Sequence, residues 1–263
     1  MQFGISQLVA PNLPQEEFFQ RAAAAGYEVV ELCTAQKGPL SLQTYKKETA
    51  RILDLSKQYH LPVVSLVQGH CSGNLLAGDN SQKTGIEETR QGLQVAADLG
   101  IKCTLHTLGR LSPELYYDEA YRNGVAALKT IAETAEKLKV AIAVEFVWNG
   151  FLFSPLEMKH FLEEVGSKYI GFYFDPGNMA IFQYPHHWAR ILGRHIKMVH
   201  LKDWNGNSLN GAWPALLKGN IDFKAVMKEL HASGYDGPLI SEVPPDIAPL
   251  EETAKAIRKI IEM

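Results

Sequence analysis

Short apolar runs alternate with longer amphipathic segments eight times along the 263 residues, and nothing constrains the fold more than that alternation. The runs are 3–6, 28–32, 63–67, 101–105, 140–145, 169–174, 196–201 and 238–243. Each has the length of a strand rather than of a helix. Helix-length segments follow at 14–25, 41–60, 85–99, 113–138, 154–165, from 175 to about 193, 222–233 and 249–262. The first has Asn12 in a capping position and Gly26 as its stop. Strands that alternate with helices must pair in parallel through right-handed crossovers. Eight such units in a chain of this size predict a closed (β/α)8 TIM barrel, α/β in class, as a single domain over residues 1–263. The competing open doubly wound sheet usually carries a Gly-rich phosphate turn after an early strand. Here the first strand runs instead into Gln7-Leu8-Val9-Ala10-Pro11. Residues 68–84 and 202–219 are expected to be long loops.

The formal charge is −3, and no run of Lys/Arg exceeds two. That argues against a nucleic-acid partner held through phosphates. Cys33, Cys71 and Cys103 are odd in number and widely spaced, so neither a disulfide framework nor a zinc ribbon is expected. The expected setting is a reducing cytoplasm. The first ten residues lack the basic and apolar regions of a secretory leader. No apolar stretch approaches the roughly 18 residues of a membrane span.

In a barrel, chemistry sits where the strands end at the C-terminal face. Six of the predicted strands end near a His or a carboxylate: His70, His106, Glu145, Asp175, His200 and Glu242. Side chains on a strand alternate faces. Val140, Ile142 and Val144 therefore share the helix-facing side, and Ala141, Ala143 and Glu145 the axis. By the same parity Gly171, Tyr173 and Asp175 point inward, as do Ile196, Met198 and His200, and Ile240 and Glu242. Four consecutive strands thus aim Glu145, Asp175, His200 and Glu242 at one volume. Three carboxylates and one imidazole suit one divalent metal ion, Mn2+ first, with Mg2+, Co2+, Zn2+ or Fe2+ as alternatives. The competing reading is a rim of salt bridges to loop Lys/Arg.

Several segments resemble the sugar-phosphate isomerase/epimerase family of xylose-isomerase-like barrels. They are Val144-Glu145-Phe146, Phe174-Asp175-Pro176-Gly177-Asn178, Val199-His200-Leu201-Lys202-Asp203, Gly219-Asn220-Ile221-Asp222-Phe223, Tyr235-Asp236-Gly237-Pro238 and Ser241-Glu242-Val243. The resemblance implies Glu145, Asp175, His200 and Glu242 as metal ligands. It implies Glu145 and Glu242 as the acid and base of an isomerase or epimerase that acts on a sugar or keto-sugar through a metal-stabilised enediolate. Asn178 stands where the family's ketose 3-epimerases commonly carry a His, and Phe151 lies about where they carry a second Glu. No Arg occurs from Lys202 to Gly219, where they place a substrate-binding one. A metal-dependent lyase or dehydratase on an inosose or 3-keto-glycoside therefore stands as the alternative.

His70 and His106 read as contacts to substrate hydroxyls, as a second metal site or as a leaving-group acid, against buried histidines satisfied by neighbours. Asn178, Lys202, Asp203 and Trp204 are placed with the substrate-binding residues, although Lys202 also reads as a solvated surface lysine. Glu31 reads equally as pocket lining and as half of an ion pair. Trp148, Phe151, Phe153, Trp204 and Trp213 suit a cover over the mouth, stacking on a sugar ring, or the contact face of a homo-oligomer. The adjacent His186 and His187 point in different directions on a helix and are assigned to the surface.

Overall fold

All eight apolar runs become strands in the computed structural model, which describes residues 1–38 and 40–263. They are β1 (Phe3–Ser6), β2 (Val29–Cys33), β3 (Val63–Val67), β4 (Cys103–His106), β5 (Ala141–Glu145), β6 (Ile170–Phe174), β7 (Ile196–Leu201) and β10 (Leu239–Ser241). They close in sequence order into one barrel, with β10 paired to β1 and every rung parallel. The helices around it are α1 (Gln15–Ala24), α2 (Tyr45–Gln58), α3 (Asn80–Asp98), α4 (Tyr117–Leu138), α5 (Pro155–Val165), α6 (Pro176–Ala180), α7 (Pro185–Leu192), α8 (Phe223–Ala232) and α9 (Leu250–Ile261). No helix among the described residues is long and apolar enough to cross a membrane.

Boundaries move where capping or proline decides them. The third helix starts at Asn80 rather than 85, because the Asp79 carboxylate caps it by accepting from the Ser81 amide at 2.8 Å. Asn12 does not cap α1; Pro14 stands at that position with no side-chain bond. The helix expected after β6 is two helices, since Pro185 restarts the chain at the first turn of α7. The loop after β7 contains a hairpin of β8 (Asn205–Asn207) and β9 (Asn210–Ala212).

Side-chain parity sorts the strands into two cores. Ile142, Val144, Phe172, Phe174, Val199 and Leu201 pack outward against the helices. Val29, Val67, Leu105, Ala143, Tyr173, Met198 and Ile240 belong to a separate cluster that fills the barrel. Gly4 faces this interior so closely that a Cβ there would lie 2.6 Å from the Val29 carbonyl and 2.8 Å from Ile240 Cδ1. Ile196 corrects the parity argument, because it packs with the outer core. The ladder between β6 and β7 slips there, with Phe172 opposite Ile196 but Tyr173 opposite Met198. One extra residue reverses the facing below the slip and leaves Met198 and His200 pointing in.

Candidate metal centre and the cavity at the barrel mouth

The strand ends deliver four groups to one point. Glu145 is the last residue of β5, and His200 lies in β7. Asp175 follows β6 directly and caps α6, its Oδ1 accepting from the amides of Gly177 (2.9 Å) and Asn178 (3.4 Å). Its Oδ2 is buried with no hydrogen bond. Glu242 follows β10, its amide bonded to the Leu201 carbonyl at 3.1 Å. One ligand atom from each of the four lies within 4.8 Å of all the others.

The imidazole is held from beneath. His200 Nε2 sits 2.8 Å from Glu31 Oε1, and Tyr173 donates its hydroxyl to Glu31 Oε2 at 2.6 Å. A carboxylate can only accept, so Nε2 carries the proton. Nδ1 faces Glu145 Oε1 at 3.3 Å and Glu242 Oε1 at 3.2 Å. Burial alone would lower the imidazole's pKa, but the carboxylates of Glu242 and Glu31 hold it well above the ordinary value. Burial would likewise raise Glu31, but the charge and hydrogen bond of His200 and the Tyr173 hydroxyl hold it below its usual range. The Glu145 carboxyl is pushed up to about 7 by burial, with the Glu242 carboxylate adding to the effect.

Lys202 is not a solvated surface residue. Its ammonium lies 2.7 Å from Asp175 Oδ2, an ion pair without hydrogen-bond alignment, and 2.6 Å from Glu242 Oε2. Its side chain is 21% exposed. Burial disfavours the ammonium, yet Asp175 and Glu242 raise its pKa. The residues fit a divalent cation on two grounds: an Nδ1 aimed at two carboxylates, and three carboxylates gathered around one lysine and one imidazole. The second nitrogen tied to a carboxylate is the arrangement that fixes a ligating histidine.

The other expected contacts resolve differently. Asn178 holds the site rather than opening to it, donating from Nδ2 to Glu145 Oε1 (3.3 Å) and to the Phe146 carbonyl (3.0 Å). Asp203 is turned into its own loop, where it accepts from the amides of Trp204 (2.8 Å), Gly219 (2.8 Å) and Ile221 (3.4 Å). Trp204 is buried against Trp213, ring centroids 4.8 Å apart, so its face is not free for a sugar. His70 is buried with Nδ1 on the Thr34 hydroxyl (2.6 Å) and Nε2 on the Glu88 carbonyl (3.0 Å). His106 accepts the Leu108 amide at Nδ1 (2.8 Å) and meets the Thr89 hydroxyl at Nε2 (3.2 Å). Both are histidines satisfied by neighbours, and the second-metal reading finds no second cluster among the described residues. Their pKa values are lowered by burial, that of His106 to about 4.

A cavity of about 1040 Å³ opens beside the cluster and reaches it at Glu145. Leu8, Gln68, His106, Arg110 and Trp148 are on its wall. The loop after β7 lies over the cluster's other side: Trp213 stacks on Trp148 at 5.3 Å, with Lys202 Nζ 5.8 Å from the Trp213 ring. Val29 and Cys33 pack inside the barrel, and Glu31 shares their parity, but no local signal in the sequence pairs it with His200. Nothing in the sequence marked Arg110.

Barrel, rim and cluster define a TIM barrel with its polar groups gathered at the C-terminal ends of the strands. The chain belongs to the xylose isomerase-like TIM barrel family, whose profile matches residues 19–262. L-ribulose-5-phosphate 3-epimerase UlaE of Escherichia coli O157:H7 is 25% identical over 263 aligned positions, which cover 91% of this chain and 86% of that protein. Among solved structures, a D-tagatose 3-epimerase-like protein superposes with a TM-score of 0.85 at 23% identity, covering 100% of this chain and 97% of the other. The IolI protein, solved with a bound zinc atom, superposes with a TM-score of 0.79 at 17% identity, covering 99% and 96%.

Proposed function

We propose that this chain is a divalent-metal-dependent epimerase or isomerase of ketoses, with Glu145, Asp175, His200 and Glu242 as the metal ligands. The observation that carries the reading is the convergence of these four side chains beside a cavity that Glu145 borders. The names of the relatives, an L-ribulose-5-phosphate 3-epimerase and a D-tagatose 3-epimerase-like protein, agree with it. A divalent cation bound there would polarise the substrate carbonyl and offset the charge that develops as a neighbouring proton leaves.

The chain's own residues then move the proton. Glu145, with an open side toward the cavity, suits removal of the proton next to the carbonyl. Glu242, oriented by Lys202, is the second carboxyl, placed to return a proton to the opposite face. Asn178 fixes the Glu145 oxygen, and the Trp148–Trp213 pair restricts water above the cluster. The epimerase reading is preferred to the lyase because His70 and His106, the candidate leaving-group acids, have both ring nitrogens engaged. The test is incubation of Mn2+-loaded protein with a panel of ketoses, inososes and 3-keto-glucosides in D2O, read by NMR. The expected result is a C3 epimer or aldose isomer carrying deuterium at the attacked carbon. Release of water or an aglycone overturns the reading.

A further inference from the structure

The cavity has opposite charge at two places on its wall. Glu145 brings the acidic cluster to it, and Arg110, in the loop after β4, is its one cationic lining residue among the described residues. The Arg110 backbone is gripped from both sides. Asn74 donates to the Arg110 carbonyl (2.7 Å) and accepts from its amide (3.3 Å), pairing with the main chain as a strand would. Asn149 reaches across from the loop after β5 and donates to the carbonyls of Thr107 (3.1 Å) and Gly109 (2.8 Å). Both asparagines also line the cavity. Asn74 packs so tightly under Gly109, whose φ is +131°, that a Cβ there would collide with its amide. The segment is therefore fixed in position by two neighbouring loops, those after β3 and β5.

The guanidinium that this scaffold carries has no carboxylate or other hydrogen-bond partner among the described residues, unlike Arg21, Arg51, Arg122 and Arg194, which all pair with acids. Arg110 is itself exposed, so ordering its side chain costs entropy, but its main chain is already held and adds no ordering cost of its own on binding. Guanidinium offers a planar fork of donors that matches an oxyanion in two parallel bonds. The cavity's volume is at the upper end for small-molecule sites, about 300–1,000 Å³, so it has room for more than the carbons attacked at Glu145.

We infer that Arg110 is a specificity-determining residue that binds a terminal oxyanion, a phosphomonoester or a carboxylate, on the substrate chain. This assignment rests on the epimerase reading for the identity of the rest of the substrate, but not for the anion site itself. The test is calorimetric titration of Mn2+-loaded protein with D-fructose-6-phosphate, D-fructuronate and D-fructose. The wild type is expected to bind at least one anion about tenfold or more tightly than fructose. Arg110→Ala is expected to reduce that ratio about tenfold, and Arg110→Lys about threefold, since lysine keeps the charge but loses the fork. Preference for the phosphate alone or the uronate alone assigns the group. No preference in the wild type, or a preference that survives Arg110→Ala, overturns the inference. The same three sugars followed by NMR in D2O separate the two readings: anion preference without proton exchange sinks the epimerase and leaves the anion site. Exchange without preference does the reverse. Where turnover occurs, the loss in Arg110→Ala falls on KM more than on kcat.

Discussion

Glu31 and His200 stand 169 positions apart in the chain, yet their side chains meet at 2.8 Å at the centre of the barrel, both fully buried. The pair determines what the cluster above it can do. With Nε2–H spent on Glu31, the imidazole presents only Nδ1 to Glu145 and Glu242 at the rim. Tyr173, beneath them, holds the other Glu31 oxygen and keeps the carboxylate from turning away.

Glu31→Gln removes the charge behind the ring while keeping the shape. Outer partners of ligating histidines typically contribute about 10–100-fold to metal affinity. Competition titration of Mn2+ or Zn2+ with a chelator is expected to show a loss in that range. An unchanged affinity would mean that Glu31 is only a packing partner.

His200→Ala is expected to abolish stoichiometric metal, taking elemental analysis from one ion per chain to below about a tenth. Full metal content in this variant would count decisively against the four-residue assignment.

Glu145→Gln and Glu242→Gln should both slow net epimerisation by about 100-fold or more. Proton exchange should survive in only one of them for a given epimer, because forming and reversing an enediolate needs one base. Supplying the opposite epimer should exchange the behaviour of the two variants. NMR in D2O reads this directly, and parent-rate epimerisation by both variants would sink the two-glutamate mechanism.

Asp203→Ala tests whether that carboxylate belongs to the metal or to the loop. Three backbone amides lose their acceptor, at a cost of about 2–4 kcal/mol and with faster proteolysis near the β8–β9 hairpin. Metal content is expected to stay at the parent level, since the carboxylate is turned away into its own loop.

His106 makes stability fall in acid. Burial lowers its folded-state pKa to about 4, so between its ordinary value of 6.5 and that point the unfolded chain takes up a proton and the folded one does not. The contribution is fully present above pH 6.5, is lost as the pH falls toward 4, and amounts to about 3 kcal/mol. Chemical denaturation across this range should show a shallower pH dependence in His106→Asn. Parallel curves for the two proteins would contradict it.

Parity along single strands was enough to place Glu145, Asp175, His200 and Glu242 at one rim, because a strand's period of two is local and the strand ends are set by neighbouring sequence. The structure brings them within 4.8 Å, and their binding of metal is the proposal that the variants above test. The loop residues were legible only as residue types. Lys202 reads as a surface lysine until Asp175 and Glu242 are seen on either side of it. Asp203, Asn178 and His70 read as substrate contacts until the folded loops supply the backbone amides, carbonyls and hydroxyls they bind, while His106, held by the Leu108 amide, still stands on the cavity wall.

The sequence by itself determined the eightfold alternation, hence the parallel barrel, and the face on which most strand residues lie, since these depend on periodicities of a few residues. Tertiary structure alone decided the slip between Phe172 and Tyr173, which turned Ile196 outward, because register depends on how two strands meet when the barrel closes. It also decided the pairing of Glu31 with His200 and the isolation of Arg110 on its asparagine frame. Those relationships join groups far apart in the chain, and local propensity carries no information about which distant partner will satisfy a buried charge or leave one free.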